Sequence, residues 1–132
     1  MGAIALLYAL PILAHHSYAM FDLSKLVTVK GTVAKLDWSN PHVRLWVYVP
    51  SSAQASGFEL YAFQSGGINI LVRSGWNKNT FAPGDKVSID YYPLRDGRAG
   101  GDFIRARRAD GRLINGDPAA AQLPTLAERA KP

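Results

Sequence analysis

The chain contains three imidazoles, His15, His16 and His42. The first two are adjacent, where the apolar run MGAIALLYALPILA gives way to HHSYAMFD. Imidazole nitrogen is the commonest neutral ligand for zinc and copper. If the chain is cleaved after Ala14, His15 offers its α-amine and a ring nitrogen together, a chelate suited to Cu(II). His16 or His42 can then complete a tetragonal nitrogen site. Cleavage one residue earlier would put a histidine third, which makes another amine–amide–imidazole copper binder. The competing reading is a solvated N-terminal stub, with His42 a turn residue bonded to backbone, because affinity ordering alone lets any histidine-rich terminus bind copper. Copper is the one cofactor these residues suggest.

Two further constellations bear on binding. Trp46, Tyr48, Tyr61 and Phe63 fall on the parity opposite the aliphatic residues of their strands. That parity predicts an exposed face on which a sugar, ring or base stacks, with Trp46, Tyr61 and Phe63 close together. The alternative is a second core layer under a helix. Arg105 and Arg107 alternate on one side of a strand and can converge on one anion. Equally, they can be the charged face of an edge strand that discourages sheet-to-sheet aggregation.

Other chemistry is excluded or unsupported. With no cysteine there is no disulfide, thiolate metal site or cysteine nucleophile. No Ser-His-Asp set, phosphate loop or facing pair of carboxylates is evident, and the Asp residues fall mostly at turns, where Asp is favoured anyway. The expectation is a protein that is not an enzyme. A formal net charge of +5 suits an anionic partner without demanding one.

The elements that must position these groups follow from the patterning. Ala3 to Ala14 is apolar apart from the hydroxyl of Tyr8. The run is too short for a helix across a hydrocarbon core of ~30 Å, so no stable membrane span is expected. It suits the apolar region of a signal peptide, with Ala14 an acceptable residue before the cut. No Lys or Arg precedes the run, which leaves open a start further upstream or a retained segment. Residues 1–14 are therefore a signal peptide or N-terminal apolar segment, 15–114 the folded domain, and 115–132 a flexible Ala- and Pro-rich tail, with a short helix at 126–130 as an option.

Within the domain, KLVTVKGTVAKLD puts Val27, Val29, Gly31, Val33 and Lys35 on one face of a strand near 26–36, with Gly31 marking a bulge or sharp coil. Strands follow near 43–49 and 58–64. Ile68, Leu71 and Val72 then make a helical stripe over 67–74, with Ser65 as its cap and Gly75 as its stop. Two more strands near 86–93 and 102–108 complete the set, with a hairpin-like extension at DGRLI. Three strands, a helix and two strands are the order of a five-stranded OB barrel, with the helix between strands 3 and 4. The fold class is all-β. A short β-sandwich is the alternative.

The segments AHHSYAMFD, VKGTVAKLDWSNPHVRLWV, RSGWNKNTFAPGDKV and PLRDGRAGG together resemble a family of uncharacterised exported bacterial proteins, a domain of unknown function. Its members carry an AHHS opening, a GTV strand, a W-x-NPH turn, an RGW segment and a PGD turn. The likeness runs from Ala14 to about Ile114. It departs at SGGIN, the helix start, where the family has a Ser-Pro or similar pair, and at Ser74, which replaces a second basic residue. The resemblance implies export and a small β-barrel, and no established activity.

Taken together, the residues point to a periplasmic or secreted OB-like binding or accessory module with an unknown small ligand or protein partner. Two alternatives stand beside it: a copper-binding protein using the N-terminal histidines, and a structural or assembly subunit that keeps its apolar segment. A basic OB barrel usually partners nucleic acid. An exported protein rarely meets it, so none is expected.

Overall fold

A computed structural model describes residues 18–122. The expectations for residues 1–17 and 123–132, which include the signal peptide, His15, His16 and the short helix at 126–130, lie outside the described residues.

Six strands and one helix follow in the order β1 (Val27–Asp37), β2 (Arg44–Pro50), β3 (Phe58–Gln64), α1 (Ile68–Arg73), β4 (Lys86–Pro93), β5 (Gly100–Arg108) and β6 (Leu113–Asn115). The sheet order is β3-β2-β1-β4-β5-β6, and a further pairing of β3 with β5 closes the first five strands into a barrel. The closing pair is parallel, and the other pairs are antiparallel. The fold is the expected all-β, five-stranded OB-like barrel with its helix between the third and fourth strands.

Closure depends on a bent first strand. β1 pairs with β4 through Val27 to Thr32 and with β2 through Thr32 to Asp37. Gly31 sits at the handover, where a side chain would strike Val47 Cγ1 at 2.6 Å and the Tyr48 carbonyl. The glycine thus permits close approach, while the bulge itself lies three residues on. The register slips between Val33 and Lys35. A bulge shifts the alternation by one residue. Leu36 therefore joins the core, and Lys35 moves to the outer face, opposite Trp46, which corrects the inward parity expected of Lys35.

The interior is filled by Val33, Leu45, Val47, Phe63, Leu71, Ile89 and Phe103, all 2% exposed or less. Aromatic edges lock it: Phe63 meets Tyr91 at 4.9 Å, and Trp76 meets both Phe81 and Phe103 at 5.2 Å. Leu71 plugs one end from α1, while Val72 stays exposed. The helix stops as expected at Gly75 (φ 90°), with the Trp76 N–H returning to the Leu71 carbonyl at 2.9 Å. Its start differs. Gly67 is the N-cap, and the Ile68 N–H donates to Asn40 Oδ1 at 2.9 Å, so Ser65 caps nothing.

A second, smaller cluster lies outside the barrel wall: Phe21, Tyr92, Ile104 and Ala120, with Tyr18, Leu23 and Leu94 around them. A register slip between Asp90 and Tyr91 creates it by sending Phe103 inward and Ile104 outward. Residues from both flanks of the domain cover that outer patch. Phe21 bridges Leu94, and the Asp22 N–H bonds the Pro93 carbonyl at 2.8 Å. A helical turn at 118–122 brings Ala120 to 1% exposure. The first residues of the segment expected to be a loose tail, 115–122, are thus docked on the barrel. Their anchors are a buried alanine and the Asn115 carbonyl, which accepts from Trp76 Nε1 at 2.7 Å.

Where β3 meets β5, Gly100 has φ 127° and its backbone lies so close to Ala62 that a Cβ would collide with the Ala62 carbonyl. Gly57 also has a positive φ, 79°, but nothing within 4 Å of an added Cβ. Gly57→Ala should cost about 1 kcal/mol, the conformational penalty alone. Gly100→Ala should cost about 2–4 kcal/mol, because the closing strands must part as well. Urea unfolding of both variants checks the difference, and equal losses would mean that the close approach does not constrain closure.

Candidate functional site

The turn SNPH, the β3–α1 connection, the start of β5 and both flanking segments meet around one cavity of about 500 Å³. Its chemically active lining is Tyr18, His42, Ser65, Asp102 and Asp117, with Asn40, Gln64 and Asn69 around them. Several local bonds build it. Val43 and Ser65 exchange backbone bonds with the strand opposite: the Val43 N–H donates to the Gly66 carbonyl at 3.1 Å, and the Ser65 N–H to the Val43 carbonyl at 2.8 Å. His42 Nδ1 lies 3.1 Å from the Ser65 carbonyl. A carbonyl only accepts, so Nδ1 carries the proton, and in the neutral form of the ring the lone pair lies on Nε2.

Asp102 is the unusual group. It is 3% exposed, and its Oδ2 has no hydrogen-bond partner among the described residues. Burial, then the charge of Asp117, pushes its carboxyl up to about 7. Ser65, 5% exposed, likewise has an unpartnered Oγ. Asp117 caps the 118–122 turn through Oδ1, which accepts the Ala119 N–H at 2.9 Å. Its Oδ2 lies over Gly66, 3.1 Å from where a Cβ there would stand. Burial, then Asp117 and Asp102, raises the Tyr18 phenol above its ordinary value.

Of the described residues predicted from sequence as binding or metal sites, only His42 lines this cavity. His15 and His16 lie outside the described residues, and no three His, Cys, Asp or Glu among the described residues group to hold a metal. The aromatic stacking face is not assembled. Phe63 is fully buried, and Tyr61 packs on the core 5.9 Å from Phe63 and 6.4 Å from Tyr91. The cause is register: Leu45 faces Phe63 and Val47 faces Tyr61, and opposed antiparallel residues share a face. Trp46 is left on the outer wall, its Nε1 donating to Asp37 Oδ2 at 2.8 Å and its ring under Lys35 Nζ at 5.3 Å. The exposed apolar residues nearby are instead Tyr48, Phe58 and Leu60.

The arginine pair is also divided. Arg105 Nε bonds Asp90 Oδ2 at 2.6 Å, and Thr28 Oγ1 bonds the other oxygen at 2.6 Å. Those bonds and the nearby Arg107 hold the Asp90 carboxyl below its ordinary value despite the opposing effect of burial. Arg107 stands exposed on the same outer face. Arg108, not singled out from sequence, turns to Asp85 at 3.1 Å and to the Thr80 carbonyl and ties down the 77–85 loop.

Sequence reading missed Asp102, Asp117, Ser65 and Tyr18. One signal was available: Asp102 is a carboxylate inside a strand, behind Gly100-Gly101, in a place where no turn needs it.

The model for a family of unknown function, DUF6152, matches residues 4–103, and so spans most of this architecture. The chain belongs to that family. Comparison with curated proteins gives no significant match, and neither does comparison with solved structures.

A carboxyl raised from 3.8 to about 7 makes a signed prediction. Below the unfolded value both states hold the proton and Asp102 contributes nothing. Between the two values only the folded state holds it, so this contribution falls as pH rises, and above about 7 the full cost is present. Asp102→Asn removes the titration. The stability of the variant minus that of the wild type should rise between pH 4 and 8 by a few kcal/mol, on the order of one pKa unit per 1.4 kcal/mol. Chemical denaturation across that range checks it. A flat difference would mean that Asp102 is not buried against Asp117.

Proposed function

We propose that this protein is an exported, non-enzymatic binding module whose ligand site is the cavity between the SNPH turn and the start of β5. One observation carries the reading: Asp102 and Ser65 both line the cavity, and each has a buried side-chain oxygen, Oδ2 and Oγ, without a partner among the described residues. Buried polar atoms are paired in all but a few instances, so two at one cavity point to a bound partner there. The size fits a small molecule. Export rests on the apolar run before His15 and on the likeness of the AHHS opening. Among the described residues no helix is long and apolar enough to cross a membrane.

A fragment screen followed by amide chemical shifts tests the site. Hits should move the amides of His42, Ser65, Gly66, Asn69 and Asp102 together. Hits confined to the outer wall at Tyr48, Phe58 and Leu60 would overturn the assignment. Fractionation of cells expressing the full chain should place it outside the cytoplasm with a new N-terminus near His15, and an intact cytoplasmic chain would remove the export reading.

A second reading, copper held by His15, His16 and His42, is favoured by a specific geometry. The anchored Nδ1 of His42 leaves Nε2 as the free donor, the arrangement that orients a metal-binding imidazole. Tyr18, which follows His16 by two residues, lines the same cavity, and two residues span at most about 7 Å. Copper titration of the mature protein should show tight, stoichiometric binding, lost in His42→Ala and on adding one N-terminal residue. Weak binding unchanged by His42→Ala would reduce the histidine pair to an exposed terminus.

A further inference from the structure

Resting on the cavity being a ligand site, we propose that its ligand is a small molecule carrying a primary ammonium group, which docks between Asp102 and Ser65 with Asp117 alongside. Among the described residues the lining holds two carboxylates and neither lysine nor arginine, in a chain whose net charge is +5. Asp22, Asp37, Asp85, Asp90 and Asp96 all pair with Lys or Arg. Among the described residues the charge that acts on Asp102 is that of Asp117, and a buried carboxylate facing a like charge costs stability. A cation between them removes the cost.

The donor count selects the kind of cation. An ammonium has three N–H donors and no acceptor. The lining includes Asp102 and Ser65, whose Oδ2 and Oγ have no partner among the described residues, and Asp117, whose carboxylate lies beside Gly66. A metal ion needs several ligands converging at about 2 Å. The described His and Asp residues do not supply such a group. An ammonium donates to acceptors placed less strictly, at hydrogen-bond distance, about 2.8 Å. Gly66 and Gly67 keep the rim low. A Cβ at Gly66 would press on Asp117 Oδ2 at 3.1 Å, and one at Gly67 on the Pro41 carbonyl at 3.1 Å. The rest of the molecule would face Ile70, Asn69 and Gln64, an amide-lined wall with one aliphatic contact.

The groups facing Asp102 are Asp117 from the C-terminal turn, Tyr18 from the N-terminal segment and Tyr92 from β4, with His42 across the cavity. Ammonium binding favours the ionised carboxylate, so binding releases a proton and strengthens as Asp102 ionises.

The test is a chemical-shift titration of the full chain with n-butylammonium, 1-butanol and Cu(II) as separate probes. n-Butylammonium should shift Ser65, Gly66 and Asp102 saturably at one equivalent. Its affinity should rise about tenfold from pH 6 to 8, the change in ionised fraction for a group near 7. A parallel series in His42→Gln keeps imidazole protonation out of that slope. Asp102→Asn should weaken binding at least tenfold and Ser65→Ala less. The wild-type pH series stands on its own if Asp102→Asn does not fold. Equal binding of 1-butanol, or an affinity indifferent to pH, overturns the ammonium. Cu(II) broadening at His42 with no response to n-butylammonium also overturns it, and leaves the cavity as a site. If fragments of every class leave the cavity untouched, the binding-site reading falls with it.

Discussion

The parallel pairing of β3 with β5 is the constraint on which the rest of the molecule depends. Three residue pairs make it, Ala62 with Gly100, Phe63 with Gly101 and Gln64 with Asp102. It removes both free edges of the five-stranded sheet at once, the most direct answer to unpaired strand edges. Two backbones can approach this closely only where side chains are missing. A Cβ on Gly101 would run into the Tyr92 carbonyl, as one on Gly100 would into that of Ala62. The third pair then sets Asp102 beside the last residue of β3, one position before Ser65. Closing the barrel and placing the carboxylate are thus one geometric event.

What surrounds that carboxylate is a covered patch of outer wall. The slip in the β4–β5 register turns Ile104 outward beside Tyr92, and apolar surface outside a barrel needs a lid. Phe21 and Ala120 supply it from opposite ends of the domain. Covering Ile104 also excludes water from Asp102, and the turn that delivers Ala120 begins with Asp117, whose cap bond holds a second carboxylate nearby. The energetic tension at the cavity comes with this hydrophobic cover, which desolvates Asp102. The outer wall of β1, β4 and β5 shows the opposite habit: Thr28, Asp90 and Arg105 satisfy one another across three strands in contact with solvent.

Local pattern alone determined much of the architecture. Period-two alternation in VRLWVYV, the switch to a helical stripe at Ile68 and Leu71, and turns at Gly75 and Gly84 are short-range signals, and each marks its element to within about two residues. The number and order of elements then left an OB-like barrel as the economical closure. Alternation failed wherever a face depends on a partner strand. Lys35 is outside because of a bulge, and Phe63 is inside because Leu45 lies opposite it. A one-residue slip reverses a face, and a slip is a property of two strands, not of one.

The candidate site divides the same way. His42 is legible because imidazole is rare in this chain and its chemistry is distinctive. Asp102 and Asp117 are two aspartates among several, fifteen positions apart; the strand position of Asp102 is the one local mark, and nothing local separates Asp117 from the aspartates that make turns. Their character comes from burial and from each other, and both arise only when β5 closes on β3 and the 118–122 turn folds back over Ile104. Residue type and short-range spacing determined the elements and their order. The tertiary structure alone decided which polar groups lose water together, because desolvation is set by everything packed around a group and not by its neighbours along the chain.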